Sequence, residues 1–279
     1  MQAYKSIMVH VTTEERASTR LAVAADLAER FDAQLVGLGA GCINLPVDPM
    51  GDGSAAAVLI DIEAQELRDE LSAAEARFHA AAGPRANRSE WRGFDEFPAN
   101  AIAREARAAD IVVLGREWNP PTGNYRCSAS PGDVLLRAGR PILLVPPNVE
   151  RLEASRVLIA WKDTRESRRA VMDALPLLHR TERVSVLEIC TEEGDMAEAT
   201  ARAEDVARYL LRHGIAAEGS ACPLREASVA AQIAAAAHAR GADLVISGGY
   251  GHARMREWVF GGVTRDLLQR ADLCCLLSH

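Results

Sequence analysis

One seven-residue segment occurs twice at a fixed distance. Ala109-Asp110-Ile111-Val112-Val113-Leu114-Gly115 matches Ala242-Asp243-Leu244-Val245-Ile246-Ser247-Gly248 at an offset of 133, and Leu135-Leu136 to Val145 matches Leu267-Leu268 to Leu277 at 132. A repeat of this length restricts the chain to tandem copies of one supersecondary plan. Each copy holds a short, nearly continuous apolar run followed by glycine, the pattern of a strand buried on both faces of a parallel sheet. With 279 residues, each half has enough chain to bury its own core.

Both halves alternate strand and helix. In the first, strands are expected at 5–11, 33–38, around Trp91, 110–115 and 141–145, with helices at 14–31, 55–82, 99–108 and from Pro131 to Arg137. Residues 41–54, rich in Gly, Pro and Asp and without periodicity, read as a loop. In the second half, strands fall at 157–161, 184–189, 215–221, 244–246 and 273–277, and helices at 165–179, 195–213, 227–240 and 262–270. The fold class is α/β, with a parallel sheet and helices on both faces in each of two domains, 1–148 and 154–279. Pro146-Pro147-Asn148 stiffens the join.

The second copy carries a feature that the first lacks. After the strand at 244–246 come Gly248, Gly249 and Gly251, then Gly261 and Gly262 at the start of a helix, a G-x2-G-x9-G spacing. A strand, a glycine-rich turn and a helix N-terminus form an anion cradle, because free N–H groups converge where no Cβ blocks a phosphate oxygen. In the first copy Trp118 stands opposite Gly251 and Ser128 or Ala129 opposite Gly261, with prolines between. That copy keeps the scaffold without the cradle.

The spacing resembles the phosphate loop of the nucleotide-binding universal stress proteins, and the tandem resemblance covers essentially the whole chain. That family usually has Ser or Thr directly after the last glycine; here the residue is Gly262, and the first hydroxyl is Thr264. The resemblance implies an adenine-nucleotide-hydrolase-like fold: two doubly wound five-stranded parallel sheets of order 3-2-1-4-5, paired through their fifth strands as an internal pseudo-dimer. A homodimer of the whole chain stays open. It also implies that Asp163, at the end of the first strand of the second copy, and Ile189, at the end of the second, join the glycines around an adenine nucleotide. Thr13 takes the place of Asp163 in the first copy, and Asp163 alone could equally cap the next helix.

The expected nucleotide site is therefore Asp163, Ile189, Gly248, Gly251, His252, Arg254, Gly261, Gly262 and Thr264. His252 and Arg254 either meet phosphate oxygens or face solvent. Lys162 reads as a surface lysine, and Trp161 and Trp258 either stack on a base or pack in the core. The resemblance implies ATP or AMP, with or without Mg, a role in stress response, an unidentified protein partner and a cytoplasmic location. No general base or pair of metal-binding carboxylates is evident beside the loop, so at most slow hydrolysis is expected, with no catalytic or metal-ligating residue assigned.

Two other functions compete: an interaction scaffold with no nucleotide, and an adenylating enzyme whose Ser-Gly-Gly loop Ser247-Gly248-Gly249 resembles. In those enzymes the loop follows the first strand and continues Asp-Ser; here it follows the fourth and continues Tyr-Gly-His. A net charge of −7 argues against a nucleic-acid binder. The six cysteines form no C-x-x-C pair and no ligand spacing with histidine, and Cys190, Cys274 and Cys275 sit in apolar runs as small hydrophobes. No signal peptide and no membrane-spanning run is expected.

Overall fold

The structure is a computed structural model and describes residues 3–14, 17–43, 54–116, 125–191, 195–250, 262–270 and 272–279. Its strands are β1 (Ser6–His10), β2 (Gln34–Gly41), β3 (Ser89–Asp95), β4 (Ile111–Gly115), β5 (Ile142–Val145), β6 (Arg156–Trp161), β7 (Arg183–Cys190), β8 (Ala217–Pro223), β9 (Leu244–Gly248) and β10 (Cys274–Ser278). They form one sheet in the order β3-β2-β1-β4-β5-β10-β9-β6-β7-β8. Each half thus repeats the order 3-2-1-4-5. The halves meet through their fifth strands, β5 and β10, which pair antiparallel with Leu143 opposite Leu276, while the pairs within each half are parallel.

The helices are α1 (Ala17–Phe31), α2 (Ser54–Ala82), α3 (Pro98–Glu105), α4 (Pro131–Arg137), α5 (Arg165–Leu178), α6 (Met196–Arg212), α7 (Val229–Arg240) and α8 (Gly262–Arg270). They cover both faces. Leu27, Phe78, Leu177 and Leu210 of α1, α2, α5 and α6 belong to one apolar layer; Ile102, Leu135, Ile233 and Leu267 of α3, α4, α7 and α8 belong to the other. With apolar partners on both sides, β4 and β9 have no polar face, which explains their unbroken runs.

Side-chain oxygens set several helix starts. Thr164, Ser228 and Ser130 accept the main-chain N–H of Ser167, Ala231 and Asp133 at 3.3, 3.1 and 3.3 Å, each satisfying one orphan donor of the first turn. The repeated aspartate has a structural task. Asp110 accepts the N–H groups of Lys5 and Ser6 at 2.6 and 3.0 Å, and Asp243 those of Ser155 and Arg156 at 3.0 and 3.2 Å. In both halves this carboxylate fastens the start of the first strand to that of the fourth.

Two elements differ from expectation. β2 runs on to Gly41, beyond 33–38, through glycines that carry no apolar signal. At Gly37 a Cβ would lie 2.4 Å from the Phe78 ring, so the missing side chain is what lets α2 lie close over the strand. α3 stops at Glu105 and continues as a 3-10 turn to Ala108. Contacts also cross between the halves: the Tyr4 hydroxyl donates to the Asp173 carbonyl at 2.7 Å, and Arg169 donates to the Gly139 carbonyl at 3.0 Å. Burial pushes the Cys127 and Cys275 thiols up to about 12, so both stay protonated and inert.

Candidate functional site

The carboxyl ends of β6, β7 and β9 border a cavity of about 390 Å³, closed by the first turn of α5, by α7 and by the start of α8. It lies where the strand order reverses between the first and fourth strands of a doubly wound half, the place where such sheets bind ligands. In the N-terminal half the same place, between His10 at the end of β1 and Gly115 at the end of β4, holds only about 10 Å³.

The cause of this difference is one side chain. Arg20 of α1 is 5% exposed. It donates to the His10 carbonyl at 2.7 Å and the Thr12 hydroxyl at 2.9 Å, and a Cβ on Gly115 would lie 2.5 Å from its Nη1. The matching glycine of the second half, Gly248, faces Ser167 of α5, where a Cβ would lie 2.5 Å from the Ser167 nitrogen and 2.8 Å from the Glu166 carbonyl carbon. Where the first half has the Arg20 guanidinium, the strand registers and the matching buried faces of α1 and α5 put Ala170 in the second. Gly248→Ala must therefore push back the main chain of α5, whereas Gly115→Ala meets only the end of a flexible side chain. Urea unfolding is expected to show a loss of roughly 2 kcal/mol for the first and about 0.5 kcal/mol for the second; equal losses would mean that α5 does not seat on this glycine.

The turn after β9 is tied on three sides. Tyr250 has φ of 56°, a conformation that costs a non-glycine residue about 1 kcal/mol. Its N–H donates to Thr264 Oγ1 at 3.1 Å, and the Gly249 N–H donates to the Ser278 carbonyl at 2.8 Å. His279 Nδ1 lies 3.1 Å from the Gly249 carbonyl. Burial pushes the Tyr250 phenol up to about 12, with Asp133 adding to the shift, and its hydroxyl lies against Gly132 of α4 in the other half. Val263 and Thr264 bring the first turn of α8 to the cavity, with the positive dipole end of a helix start.

The opposite wall is acidic and ordered. Glu188 is 7% exposed, and Arg202 of α6 grips it through Nη2 at 2.8 Å and Nε at 3.1 and 3.2 Å, while Nη2 also reaches Asp195 at 2.8 Å. Glu188 and Asp195 both line the cavity. Trp161, beside Glu188 in the β6–β7 register, lines it too, is 8% exposed, and its indole nitrogen has no hydrogen-bond partner among the described residues.

Of the residues expected at a nucleotide site, Ile189, Gly248 and Thr264 line this cavity, and Gly262 opens α8. Thr264 anchors the turn through its hydroxyl oxygen. Asp163, between Lys162 and Thr164 of the cavity wall, is exposed and bonds Arg168 at 2.5 Å, and the cap of α5 is its neighbour Thr164. Gly251, His252, Arg254 and Gly261, with Trp118 and Trp258, lie outside the described residues. Among the described residues no cluster of His, Cys, Asp or Glu could hold a metal ion, and no helix is long and apolar enough to cross a membrane.

Sequence reading missed Arg20, Ser167, Glu188, Asp195 and Arg202. Two of them carried a signal: Arg20 interrupts the buried face Ala17, Leu21, Ala24, Ala28 of α1, and Glu188 interrupts the apolar run of β7. A charge at a core position is informative because it must be paired.

No protein-family model matches the sequence, and no curated protein matches it. Solved structures do. A universal stress protein from Archaeoglobus fulgidus DSM 4304 is 16% identical over 99% of this chain and 96% of its own, with a TM-score of 0.71. A functionally unknown protein from Pseudomonas aeruginosa PAO1 is 16% identical over 99% of this chain and 92% of its own, with a TM-score of 0.58. A half-length universal stress protein from Archaeoglobus fulgidus, in complex with dAMP, is 21% identical over 51% of this chain and 98% of its own. Its TM-score of 0.32 is too low to bear on the ligand of this chain. With a full-length neighbour of that kind and the order 3-2-1-4-5 in each half of its sheet, the chain has the universal stress protein fold, present twice.

Proposed function

We propose that this protein binds one adenine nucleotide, AMP or ATP, in the cavity of its C-terminal half and acts as a nucleotide-responsive stress protein rather than as an efficient enzyme. The observation that carries the reading is the asymmetry between the halves: about 390 Å³ at the ends of β6, β7 and β9 against about 10 Å³ at the matching place filled by Arg20. The polarity of the cavity supports the same ligand. At one side the start of α8 offers a positive helix end, suited to phosphate. At the other, Trp161, Leu187 and Ile189 offer apolar surface beside the Glu188 carboxylate, suited to a base. The units that act in this way are the sequence-defined domains 1–148, without a phosphate loop, and 154–279, with one.

Calorimetric titration of the whole chain with AMP and with ATP tests the proposal. A stoichiometry of one per chain is expected. Two sites per chain would contradict the closure of the matching place beside Arg20 in the N-terminal half, and no binding of either nucleotide would leave an interaction scaffold in its place.

A further inference from the structure

The turn that follows β9 leans on the other half of the molecule. A Cβ at Gly132 of α4 would lie 2.4 Å from the Tyr250 hydroxyl oxygen, and one at Gly249 would lie 2.5 Å from Leu135 Cδ2 of the same helix. Turn and helix thus meet twice, each time on a glycine, where no side chain intervenes. Gly132 is buried in the first turn of α4, where alanine is the better helix former. Since Leu135 corresponds to Leu267, the counterpart of Gly132 on α8 is Thr264, so the glycine is not part of the repeated plan.

Tyr250 needs this support. Its φ of 56° is strained for a residue with a side chain, and such strain persists only where the surroundings fix it. Those surroundings join two places: its N–H is bonded to Thr264 Oγ1 at 3.1 Å at the start of α8, and the far end of its ring stands against α4. Tyr250 and Thr264 both line the cavity, and Gly132 and Leu135 stand behind the turn in the other half. We propose that the N-terminal half completes the C-terminal site: Gly132 and Leu135 are positioning residues that hold the Gly249-Tyr250 turn, and through Thr264 the start of α8, in the geometry that takes a nucleotide. This role rests on the nucleotide reading above and deepens it. The half whose own place is filled by Arg20 then serves as the rear support of its neighbour's cavity.

Calorimetric titration with AMP of wild type, Gly132→Ala, Tyr250→Phe and the double variant tests the contact as a cycle. The added methyl group displaces the tyrosine hydroxyl and with it the turn. AMP affinity is expected to fall about three- to tenfold, although residue 132 belongs to the closed half. With the hydroxyl removed, the ring carbon Cζ would stand 3.6 Å from the new Cβ, an ordinary contact. In the Tyr250→Phe background the same Gly132→Ala change is therefore expected to alter affinity less than about twofold. A glycine that serves α4 alone gives no such rescue. Wild-type affinity in Gly132→Ala, or an equal loss in both backgrounds, overturns the coupling and leaves the nucleotide site standing. No AMP binding by wild type overturns both. Should Gly132→Ala fail to fold, hydrogen exchange of the wild-type chain decides. AMP is expected to slow exchange of the α4 amides, as linkage requires, and α4 exchange indifferent to AMP overturns the coupling.

Discussion

Ser167→Arg is expected to abolish AMP binding, lowering affinity at least about 100-fold, or close to 3 kcal/mol, while the chain stays folded. Ser167 lines the cavity, so the substitution puts a guanidinium into it, as Arg20 puts one into the matching place of the first half, although the register counterpart of Arg20 itself is Ala170. Gly115 and Gly248 occupy matching positions at the ends of β4 and β9; Gly115 faces the Arg20 guanidinium, Gly248 the main chain at Glu166 and Ser167. Around Arg20 the open volume is about 10 Å³; around Ser167 it is about 390 Å³. An arginine at 167 starts three residues earlier in the shared register than Arg20 does, so it meets the equivalents of the Arg20 acceptors less favourably. The Ala160 carbonyl takes the register place of the His10 carbonyl, since Ile7 pairs with Ile111 as Val157 pairs with Leu244. In place of the Thr12 hydroxyl the second half has Lys162, so the new guanidinium lacks one partner and gains a nearby cation. A folding cost of about 1–2 kcal/mol follows from overpacking and incomplete pairing. Ser167→Ala is the control and should bind AMP as wild type does. Wild-type affinity in Ser167→Arg would place the nucleotide outside this cavity.

The residues that decide between an open and a closed half were the least visible in the sequence, and the reason is physical. β4 and β9 are legible because burial on both faces keeps 111–114 and 244–246 as unbroken apolar runs, and the repeated Ala-Asp before each marks a strand start that the carboxylate ties down. β2 is only partly legible, since Gly37 and Gly39 contribute no side chain to an apolar count while still sitting in the ladder. The cavity depends on contacts between elements far apart in sequence. Arg20 and Gly115 are distant along the chain, and nothing local to α1 says that its one buried cation closes a pocket at the end of β4. Asp163 and Thr164 are both good helix caps by residue type. The choice of Thr164 turns Asp163 outward to Arg168, a geometric outcome that spacing alone does not determine. The glycine cradle was read from spacing, yet the described part of the turn shows a tighter construction, with the Tyr250 N–H already spent on Thr264.

Acidification is expected to destabilise the chain through a single histidine in the closed half. His10, at the end of β1, is 4% exposed and packs beside Arg20. Burial pushes its pKa down from 6.5 to about 3, with the positive charge of Arg20 adding to the effect and a main-chain hydrogen bond to Cys127 opposing it. The folded chain therefore keeps the ring neutral while the unfolded chain protonates it below about pH 6.5. The unfolded state binds the extra proton, so the contribution of His10 is complete above pH 6.5, declines as pH falls, and is exhausted near pH 3. Within that window the slope approaches 1.36 kcal/mol per pH unit, and between pH 7.5 and 4.5 the loss amounts to about 2.7 kcal/mol. His10→Gln removes the titration and keeps a neutral polar side chain of similar size. Urea unfolding of both proteins at the two pH values isolates the term, since carboxylates elsewhere affect both equally. The gap between wild type and variant should shift by about 2.7 kcal/mol in favour of the variant at the lower pH. A gap that stays constant would mean that the ring is protonated in the folded chain, and with it that the Arg20 plug carries two adjacent cations, which the low-dielectric space around them would not hold.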